Sequence, residues 1–307
     1  MKQLTVISGK GGTGKTTLVA SLAHLAGRSV LVDADVDAAD LHLLLKPRIQ
    51  RREPFVASKV AEIDLERCNR CGKCEEHCRF GAIHDFHVDP IACEGCGVCF
   101  QVCPKEAICL KDVQSGEWFV SETRYGPLVH AKLGVAQDNS GKLVTIVRKE
   151  GQRIAKEGNY PLVLIDGPPG IGCPVIASVG GVDAALLVTE PSVSGLHDLE
   201  RVLAVCRHFQ VPAWVCVNKW DISPEYTEKI EAFAKGAGSR VIGKLPFDPA
   251  VTRAMVAEKT ILEYTPGKIS EEIRKLWIRL HSFLNESASM ETPASQERSE
   301  TDSVTNF

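Results

Sequence analysis

Short apolar runs alternate with longer helical patterns over most of this chain. The first run, residues 4–8, leads through a glycine-rich turn into a helical pattern over residues 15–25. Further apolar runs, each separated by a helix-length segment, lie at residues 29–32, 162–165, 184–189, 213–217 and 241–243. Strands that are apolar throughout are typical of a parallel sheet covered by helices on both faces. The pattern therefore predicts an α/β fold with a mostly parallel, doubly wound sheet.

The alternation stops between Lys46 and about Asp112, where most of the cysteines lie. An insertion into the α/β domain is the simplest explanation. We place the inserted domain at residues 58–112, so that residues 1–57 and 113–284 together form the α/β domain.

The second half of the chain returns to regular patterns. Residues 117–133 indicate a strand or hairpin that rejoins the main fold, and residues 142–157 indicate a helix. Residues 269–284 carry one apolar helical face, which favours a terminal helix packed on the sheet over a helix on a membrane surface. Ser270 is the predicted N-cap of that helix. The remaining residues, 285–307, are rich in Ser, Glu and Thr and are predicted to be disordered.

The composition supports a soluble protein. The 307 residues are 44% hydrophobic and 24% charged, with a net charge of −3, close to the averages of soluble domains. Because basic residues are not in excess, a nucleic-acid partner is disfavoured. The chain opens directly into its first apolar run without a signal-peptide pattern, which favours the cytoplasm and argues against stable membrane insertion. Disulfides are rare in that compartment, so the 12 cysteines indicate metal binding.

Eight of the cysteines form two copies of one motif, offset by 25 residues. The copies are Cys68-x2-Cys71-x2-Cys74-x3-Cys78 and Cys93-x2-Cys96-x2-Cys99-x3-Cys103. This spacing is typical of [4Fe-4S] ligands, and duplicated motifs of this kind exchange their fourth ligand. The predicted ligand sets are Cys68, Cys71, Cys74 and Cys103 for one cluster, and Cys93, Cys96, Cys99 and Cys78 for the other. Zinc is the alternative, but its usual paired spacings match this pattern poorly.

The cysteine segment resembles the bacterial-type two-cluster ferredoxins over residues 60–110. It departs from them at Arg79, which stands where those proteins have proline after the fourth cysteine. Outside the motifs, Cys109, Cys206 and Cys216 lie among apolar residues, and we predict that they are buried.

A phosphate-binding loop lies between the first predicted strand and helix. Residues 9–17, GKGGTGKTT, contain the pattern G-x4-G-K-[ST]. Glycines let successive backbone N–H groups turn toward phosphates at a helix N-terminus. We expect Lys15 to contact the β- and γ-phosphates of ATP and the Thr16 hydroxyl to bind Mg²⁺. The nucleotide-binding residues predicted from the loop are Gly11, Gly12, Thr13, Gly14, Lys15, Thr16 and Thr17.

A second lysine, Lys10, narrows the comparison to one superfamily. The order Lys-Gly-Gly-x-Gly-Lys-Thr-Thr resembles the deviant Walker A loop of MinD, ParA, Mrp and the nitrogenase iron protein, and the resemblance extends to about residue 284. It implies a homodimer with nucleotide at the interface, in which Lys10 reaches the partner's phosphates. By the same resemblance, Asp35 activates the attacking water and Asp166 is the Walker B carboxylate beside the metal.

The resemblance also covers later loops. Asn218 and the loop Pro246–Asp248 are similar to the adenine-recognition segments, so Asn218, Pro246 and Asp248 are expected nucleotide contacts. Residues 167–170 resemble the switch that follows the Walker B strand. Cys173 lies just beyond them, in the region where the nitrogenase iron protein has a cluster cysteine. A bridging cluster would need a second cysteine from each subunit, and none is clearly placed for it, so the role of Cys173 stays open.

ATP, Mg²⁺ and two [4Fe-4S] clusters are thus the expected cofactors, and a slow or partner-stimulated ATPase is the expected enzyme. Three functions compete. In the first, nucleotide-dependent dimer closure controls electron transfer through the clusters to a redox or metalloprotein partner. In the second, the protein is an iron–sulfur or metal cofactor carrier of Mrp type, although the C-terminal Cys-x-x-Cys of those proteins is missing. The third is a MinD-like positioning switch, for which no membrane-targeting tail is evident. Because each predicted cluster is bound by four cysteines, which suits electron transfer better than release, the first function is favoured.

Overall fold

The structure is a computed structural model that describes residues 1–134 and 141–286. Within these residues the strands are β1 (Lys2–Ser8), β2 (Ser29–Asp33), β3 (Arg48–Ile63), β4 (Ile83–His84), β5 (His87–Val88), β6 (Ile108–Thr123), β7 (Gly126–Leu133), β8 (Leu162–Pro169), β9 (Ala184–Thr189), β10 (Ala213–Asn218) and β11 (Arg240–Leu245). The helices are α1 (Lys15–Ala26), α2 (Leu41–Leu45), α3 (Lys73–Glu76), α4 (Val98–Val102), α5 (Lys142–Glu157), α6 (Cys173–Val179), α7 (Val193–His208), α8 (Pro224–Gly236), α9 (Ala250–Val256), α10 (Ile261–Tyr264) and α11 (Lys268–Glu286), with a 3₁₀ turn at Trp220–Ile222.

Nine of the described strands form one sheet in the order β11-β10-β9-β1-β8-β2-β7-β6-β3. The strands from β11 to β7 are parallel, and β6 and β3 continue the sheet in antiparallel pairing. One face packs against α1, α2 and α9–α11, and the other packs against α5–α8. The predicted α/β fold with a mostly parallel sheet is confirmed. No helix in the described parts of the chain combines the length and the apolar content needed to cross a bilayer.

The order of the central strands decides where the polar side chains meet. β8 lies between β1 and β2, and Asp33 at the end of β2 is the register partner of Asp166 in β8. The Ala34 N–H donates to the Asp166 carbonyl at 2.8 Å and fixes the two strand ends together. The loop after β1 emerges at the same edge, because parallel strands share their carboxyl end.

A long antiparallel pair, β3 and β6, extends beyond the rest of the sheet. β7 pairs with β6 only from Gly116 to Thr123, whereas β3 follows β6 to the pair Ile63–Ile108. Residues 56–63 and 108–114 therefore form a two-stranded ribbon, and residues 64–107 lie at its end. The register shifts near Phe55–Ser58, where the buried Ser115 hydroxyl accepts the N–H groups of Ala57 (3.3 Å) and Ser58 (2.9 Å).

The ribbon was not anticipated from the sequence. Most β3 side chains are exposed, so β3 shows no apolar run, which is the signal that identified the other strands. The boundaries at residues 58 and 112 fall inside the ribbon and stay predictions.

The C-terminal helix differs from its prediction at both ends. α11 begins at Lys268, so Ser270 lies inside the helix and is not its N-cap. The Ser270 hydroxyl donates instead to the Thr265 carbonyl at 2.8 Å. α11 continues to Glu286, two residues into the segment predicted to be disordered. The rest of that segment, residues 287–307, lies outside the described residues.

Candidate functional site

The phosphate-binding loop joins β1 to α1 and has the backbone that its glycines allow. Gly12 and Gly14 have φ angles of +77° and +84°, in the left-handed region that favours glycine. A Cβ atom at Gly14 would lie 2.5 Å from the side-chain nitrogen of Asn218. That nitrogen donates to the Thr13 carbonyl at 2.8 Å, so Asn218 is held directly against the loop.

Lys15 is buried among carboxylates. Its Nζ lies 3.1 Å from Asp35 Oδ2 and 3.3 Å from Asp166 Oδ1. Burial alone would lower the pKa of Lys15, but attraction to Asp166 and Asp35 outweighs it and raises that pKa. Burial also raises the pKa of Asp33, Asp35 and Asp166 above the usual range. The Lys15 ammonium group thus has two carboxylates in contact, from Asp35 and Asp166, and a third nearby, from Asp33. Because the carboxylates outnumber the ammonium group, a further cation would be stabilised at this site.

The same residues fit a magnesium ion. Asp166 Oδ2 is buried and has no hydrogen-bond partner among the described residues, and the same holds for Thr13 Oγ1. Burial raises the pKa of Asp166, whereas Lys15 and the nearby Thr16 side chain lower it. Carboxylate and hydroxyl oxygens are ligands that Mg²⁺ prefers, usually together with waters and phosphate. The predicted residues Lys15, Thr16, Asp35 and Asp166 are therefore brought together in one place.

The predicted adenine contacts line a separate cavity of about 160 Å³ beside α1. Its wall includes the predicted residues Gly14, Thr17, Asn218, Pro246 and Asp248. Apolar side chains from β11, α9, α10 and α11 complete it, which suits a planar heterocycle.

Two further lining residues were not among the expected nucleotide contacts, although Phe247 lies in the predicted loop Pro246–Asp248. Phe247 is 54% exposed, and its N–H donates to Asp221 Oδ1 at 2.7 Å, which orders the loop. Lys219 lies at the other side of the cavity and pairs with Glu190. Both residues could have been predicted from the sequence, because each directly follows a predicted nucleotide contact, Asn218 or Pro246.

Lys10 lies against its own chain. Its Nζ is 3.3 Å from Ser194 Oγ and 3.6 Å from Glu190 Oε2. Because Glu190 also pairs with Lys219, one carboxylate connects the loop after β9 with Lys10 and with the adenine cavity. The expected reach of Lys10 to a partner's phosphates remains a prediction.

Asp33 connects the nucleotide site to α2. Its carboxylate accepts the N–H groups of Asp35 and Leu41, each at 3.2 Å, so it fixes the loop that enters α2. At the other end of α2, the Arg124 guanidinium donates to the carbonyls of Leu44 (2.9 Å) and Leu45 (3.1 Å). Arg124 belongs to the turn between β6 and β7, and only two residues separate α2 from β3. The site is thus connected through α2 to the start of β3 and to the turn after β6, and these two strands extend further into the ribbon.

The eight motif cysteines line two small cavities at the end of the ribbon. One cavity is lined by Cys68, Cys71, Cys74 and Cys103, and the other by Cys78, Cys93, Cys96 and Cys99. These are the two predicted ligand sets with the fourth cysteine exchanged.

Backbone N–H groups point at the sulfur atoms of these sets. Ala82 donates to Cys78 Sγ and Ala107 to Cys103 Sγ, both at 3.3 Å, and Arg70 donates to Cys68 Sγ at 3.4 Å. Within residues 1–134 and 141–286, no group of three or more His, Cys, Asp or Glu side chains has the geometry to hold a metal ion. Each set offers four thiols, with N–H groups aimed at sulfur, and thiolates are the donors that a [4Fe-4S] cluster takes.

The remaining cysteines divide into buried and exposed positions. Cys206 and Cys216 are buried as predicted, and burial raises the pKa of each thiol to about 12. The prediction for Cys109 is wrong, because this residue is exposed on the ribbon, 3.7 Å from Glu62 Oε2. Cys173 is exposed at the start of α6.

A cavity of about 550 Å³ next to the Asp35 loop was also missed. Its lining includes Asp37, His42, His130 and Lys132. His130 is buried, its Nε2 lies 2.9 Å from Ser121 Oγ, and its ring stacks on Phe119. Isolated histidines in a strand and a short helix belong to no motif, so the sequence held no signal for this cavity.

Comparisons with known proteins agree with this geometry. A family model described as the CobQ/CobB/MinD/ParA nucleotide binding domain matches residues 4–261. The uncharacterized protein MJ0578 of Methanocaldococcus jannaschii is 33% identical over 287 residues, or 92% of this chain and 97% of that protein. An iron-sulfur cluster carrier protein of Pyrococcus abyssi is 26% identical over 262 residues, or 80% of this chain and 74% of that protein.

Solved structures show the same fold. The septum site-determining protein MinD of Pyrococcus horikoshii, complexed with Mg-ADP, aligns with a TM-score of 0.56 at 20% identity over 94% of this chain and 99% of that chain. MinD of Aquifex aeolicus aligns with a TM-score of 0.54 at 23% identity. Because the family model spans most of the chain, this protein belongs to the CobQ/CobB/MinD/ParA family of nucleotide-binding proteins.

Proposed function

We propose that this protein is an Mg²⁺-dependent ATPase that carries two [4Fe-4S] clusters and uses a nucleotide-dependent homodimer to control electron transfer to a redox or metalloprotein partner. The observation that carries the proposal is the connection from Asp33 through α2 to β3 and β6, the two strands that extend into the ribbon bearing both cysteine sets. Membership of the family supports the ATPase part.

The residues around Lys15 supply the nucleotide chemistry. Lys15 would exchange its two carboxylate partners for the β- and γ-phosphates, while Thr16 and Asp166 hold Mg²⁺ directly or through water. Asp35 would then orient and deprotonate the attacking water. Its pKa, raised by burial, makes it a better proton acceptor than an exposed aspartate, and the incoming metal keeps it ionised.

The cysteine sets supply the electron-transfer site. A [4Fe-4S] cluster bound in each set provides one-electron redox chemistry at low potential. The chain contributes four thiolates per set and N–H groups aimed at sulfur, which stabilise the added negative charge of a reduced site. Both sets are closed by four cysteines, which favours retention of the iron over its release.

Coupling runs through the loop from Asp35 to Asp40. A shift of this loop on phosphate binding would move the start of α2, because Asp33 holds the Leu41 N–H. Arg124 holds the other end of α2 and directly follows the last residue of β6. A displacement of α2 would therefore act on the start of β3 and the end of β6, and these strands lead to the ribbon.

The test compares cluster signals with and without nucleotide. EPR spectra of the anaerobically reduced protein are recorded with and without Mg-ATP for the wild type, for Lys15→Ala, and for Lys275→Ala, an exposed lysine of α11. We expect a nucleotide-dependent change that Lys15→Ala abolishes and Lys275→Ala preserves. A spectrum that is unaffected by Mg-ATP in the wild type would refute the coupling, and the absence of any cluster signal would refute the ferredoxin assignment.

A cluster-carrier function is the second candidate. It is favoured by the similarity to the Pyrococcus iron-sulfur cluster carrier proteins, at 26% identity. Transfer of ⁵⁵Fe-labelled clusters to an apo-ferredoxin distinguishes the two functions. Rapid, ATP-dependent loss of label would favour the carrier, whereas retention of label during electron transfer would favour our proposal.

A further inference from the structure

The two copies of the cysteine motif expose different side chains at equivalent positions. With the offset of 25 residues, the charged residues Glu66, Lys73 and Glu75 of the first copy correspond to the apolar residues Ile91, Val98 and Phe100 of the second. The three apolar side chains are 73%, 39% and 45% exposed. Phe80 is also exposed and, with Val98, lines the cavity of the Cys93 set.

Cluster binding does not explain this difference, because the backbone of the two copies is the same at the points compared. Gly72 and Gly97 have φ angles of +73° and +79°. Cys68 and Cys93 each donate an N–H to the carbonyl of the equivalent aspartate, at 3.0 and 3.1 Å. The first copy forms its ligand set with charged residues at the three positions. The apolar residues of the second copy are therefore free to serve another purpose. Ile91 lies two residues before Cys93, and Val98 and Phe100 flank Cys99, so these exposed apolar groups all lie next to predicted ligands, as is typical of an interface at a site.

Charge separates the copies as well. Residues 64–82 contain four acidic and four basic residues, which balance. Residues 89–107 contain three exposed carboxylates, from Asp89, Glu94 and Glu106, against the single exposed Lys105. The second copy is therefore acidic around its apolar side chains, and bound thiolates would add negative charge.

We propose that Phe80, Ile91, Val98 and Phe100, here called the apolar rim, form the docking surface for a redox partner protein with apolar surface and basic side chains around its own cofactor. This inference rests on the proposed electron-transfer function and assigns the exchange with the partner to the Cys93 set. One electron passes across the interface, so that one centre is oxidised as the other is reduced, and no covalent bond changes. An interface of this kind is small and sensitive to salt.

The test uses a cytochrome c, a basic one-electron haem protein, as the probe. The full-length protein with both clusters is compared with Ile91→Ser/Val98→Ser/Phe100→Ser and with the matched control Glu66→Ser/Lys73→Ser/Glu75→Ser. Iron content and visible absorption establish that each variant keeps its clusters. Calorimetry gives the dissociation constant of the oxidised pair, and stopped-flow absorbance gives the rate of haem reduction by the prereduced protein freed of reductant.

We expect Ile91→Ser/Val98→Ser/Phe100→Ser to bind the probe about tenfold more weakly than the wild type. At limiting concentration it should also reduce the haem about tenfold more slowly. The control variant should change both quantities by less than about twofold. Equal effects in both variants, or no effect in either, would overturn the docking surface. The wild type could also self-associate without nucleotide. If only Ile91→Ser/Val98→Ser/Phe100→Ser loses that self-association, the docking surface is overturned, because a second copy of this chain would then cover the apolar rim. If the wild type binds the probe but transfers no electron, the proposed function fails while the binding data still decide the docking surface.

Discussion

Protonation of His130 should destabilise this protein as the pH falls. Burial, with a smaller contribution from His42, lowers the pKa of His130 from 6.5 to about 4. The folded protein therefore keeps this ring neutral while the unfolded chain binds a proton. Stability from the neutral ring is fully present above pH 6.5 and is lost as the pH falls toward 4. From these two pKa values the loss is about 2 kcal/mol at pH 5 and about 3 kcal/mol at pH 4.

Urea unfolding followed by circular dichroism at pH 8 and pH 5 measures this loss. His130→Gln removes the titration but can still accept a hydrogen bond from the Ser121 hydroxyl. The difference in unfolding free energy between wild type and His130→Gln should therefore change by about 2 kcal/mol between the two pH values, because the titrations of groups remote from His130 cancel. A wild-type-minus-His130→Gln difference that is the same at both pH values would refute the buried, neutral state of His130.

Three further predictions concern the site itself. Gly14→Ala should abolish ATP binding in calorimetry, because its Cβ would lie 2.5 Å from the Asn218 nitrogen at a φ of +84°; micromolar binding would contradict the loop geometry. Arg124→Ala should lower the free energy of unfolding, measured by urea titration, by about 2–3 kcal/mol, because two hydrogen bonds to carbonyls of α2 and the ion pair with Glu263 are lost. It should also remove the effect of Mg-ATP on the EPR spectrum. Arg124→Lys should recover part of the stability, and an unchanged nucleotide response in Arg124→Ala would exclude coupling through α2. Cys103→Ser should remove the cluster of the first motif and leave about half of the iron, measured by chemical analysis and EPR; loss of the second motif's cluster would contradict the exchanged ligand.

The α/β sheet was predictable because its strands are buried on both sides. Runs such as residues 162–165 and 184–189 are apolar throughout, and only a covered parallel strand requires that. The grouping of Lys15, Asp35 and Asp166 was predictable because Lys15 and Asp35 follow strands, and Asp166 follows the apolar run 162–165, at the carboxyl edge of a parallel sheet.

Other features depend on contacts that a linear pattern does not record. The ribbon strands are exposed on most positions, so β3 lacks both an apolar run and a strict alternation. Cys109 has apolar neighbours in the sequence, but its side chain is exposed on the ribbon. The connection from Asp33 to Arg124 joins residues about ninety positions apart. Both residues bind backbone groups of α2, and because every residue has such groups, the sequence does not show which ones are bound.

Ile63 and Ile108 are direct neighbours across the ribbon. The chain thus leaves and re-enters the ribbon across one gap between adjacent strands, about 4.5–5.5 Å between Cα atoms. A segment whose ends are adjacent can be gained or lost during evolution as a single block, because a two-residue turn closes such strands equally well. The strand order of the nucleotide-binding sheet would be untouched by either event. Joining residue 63 to residue 108 through Asn-Gly should accordingly yield a nucleotide-binding domain without the cysteine segment, and comparison with the full chain would show what that segment adds.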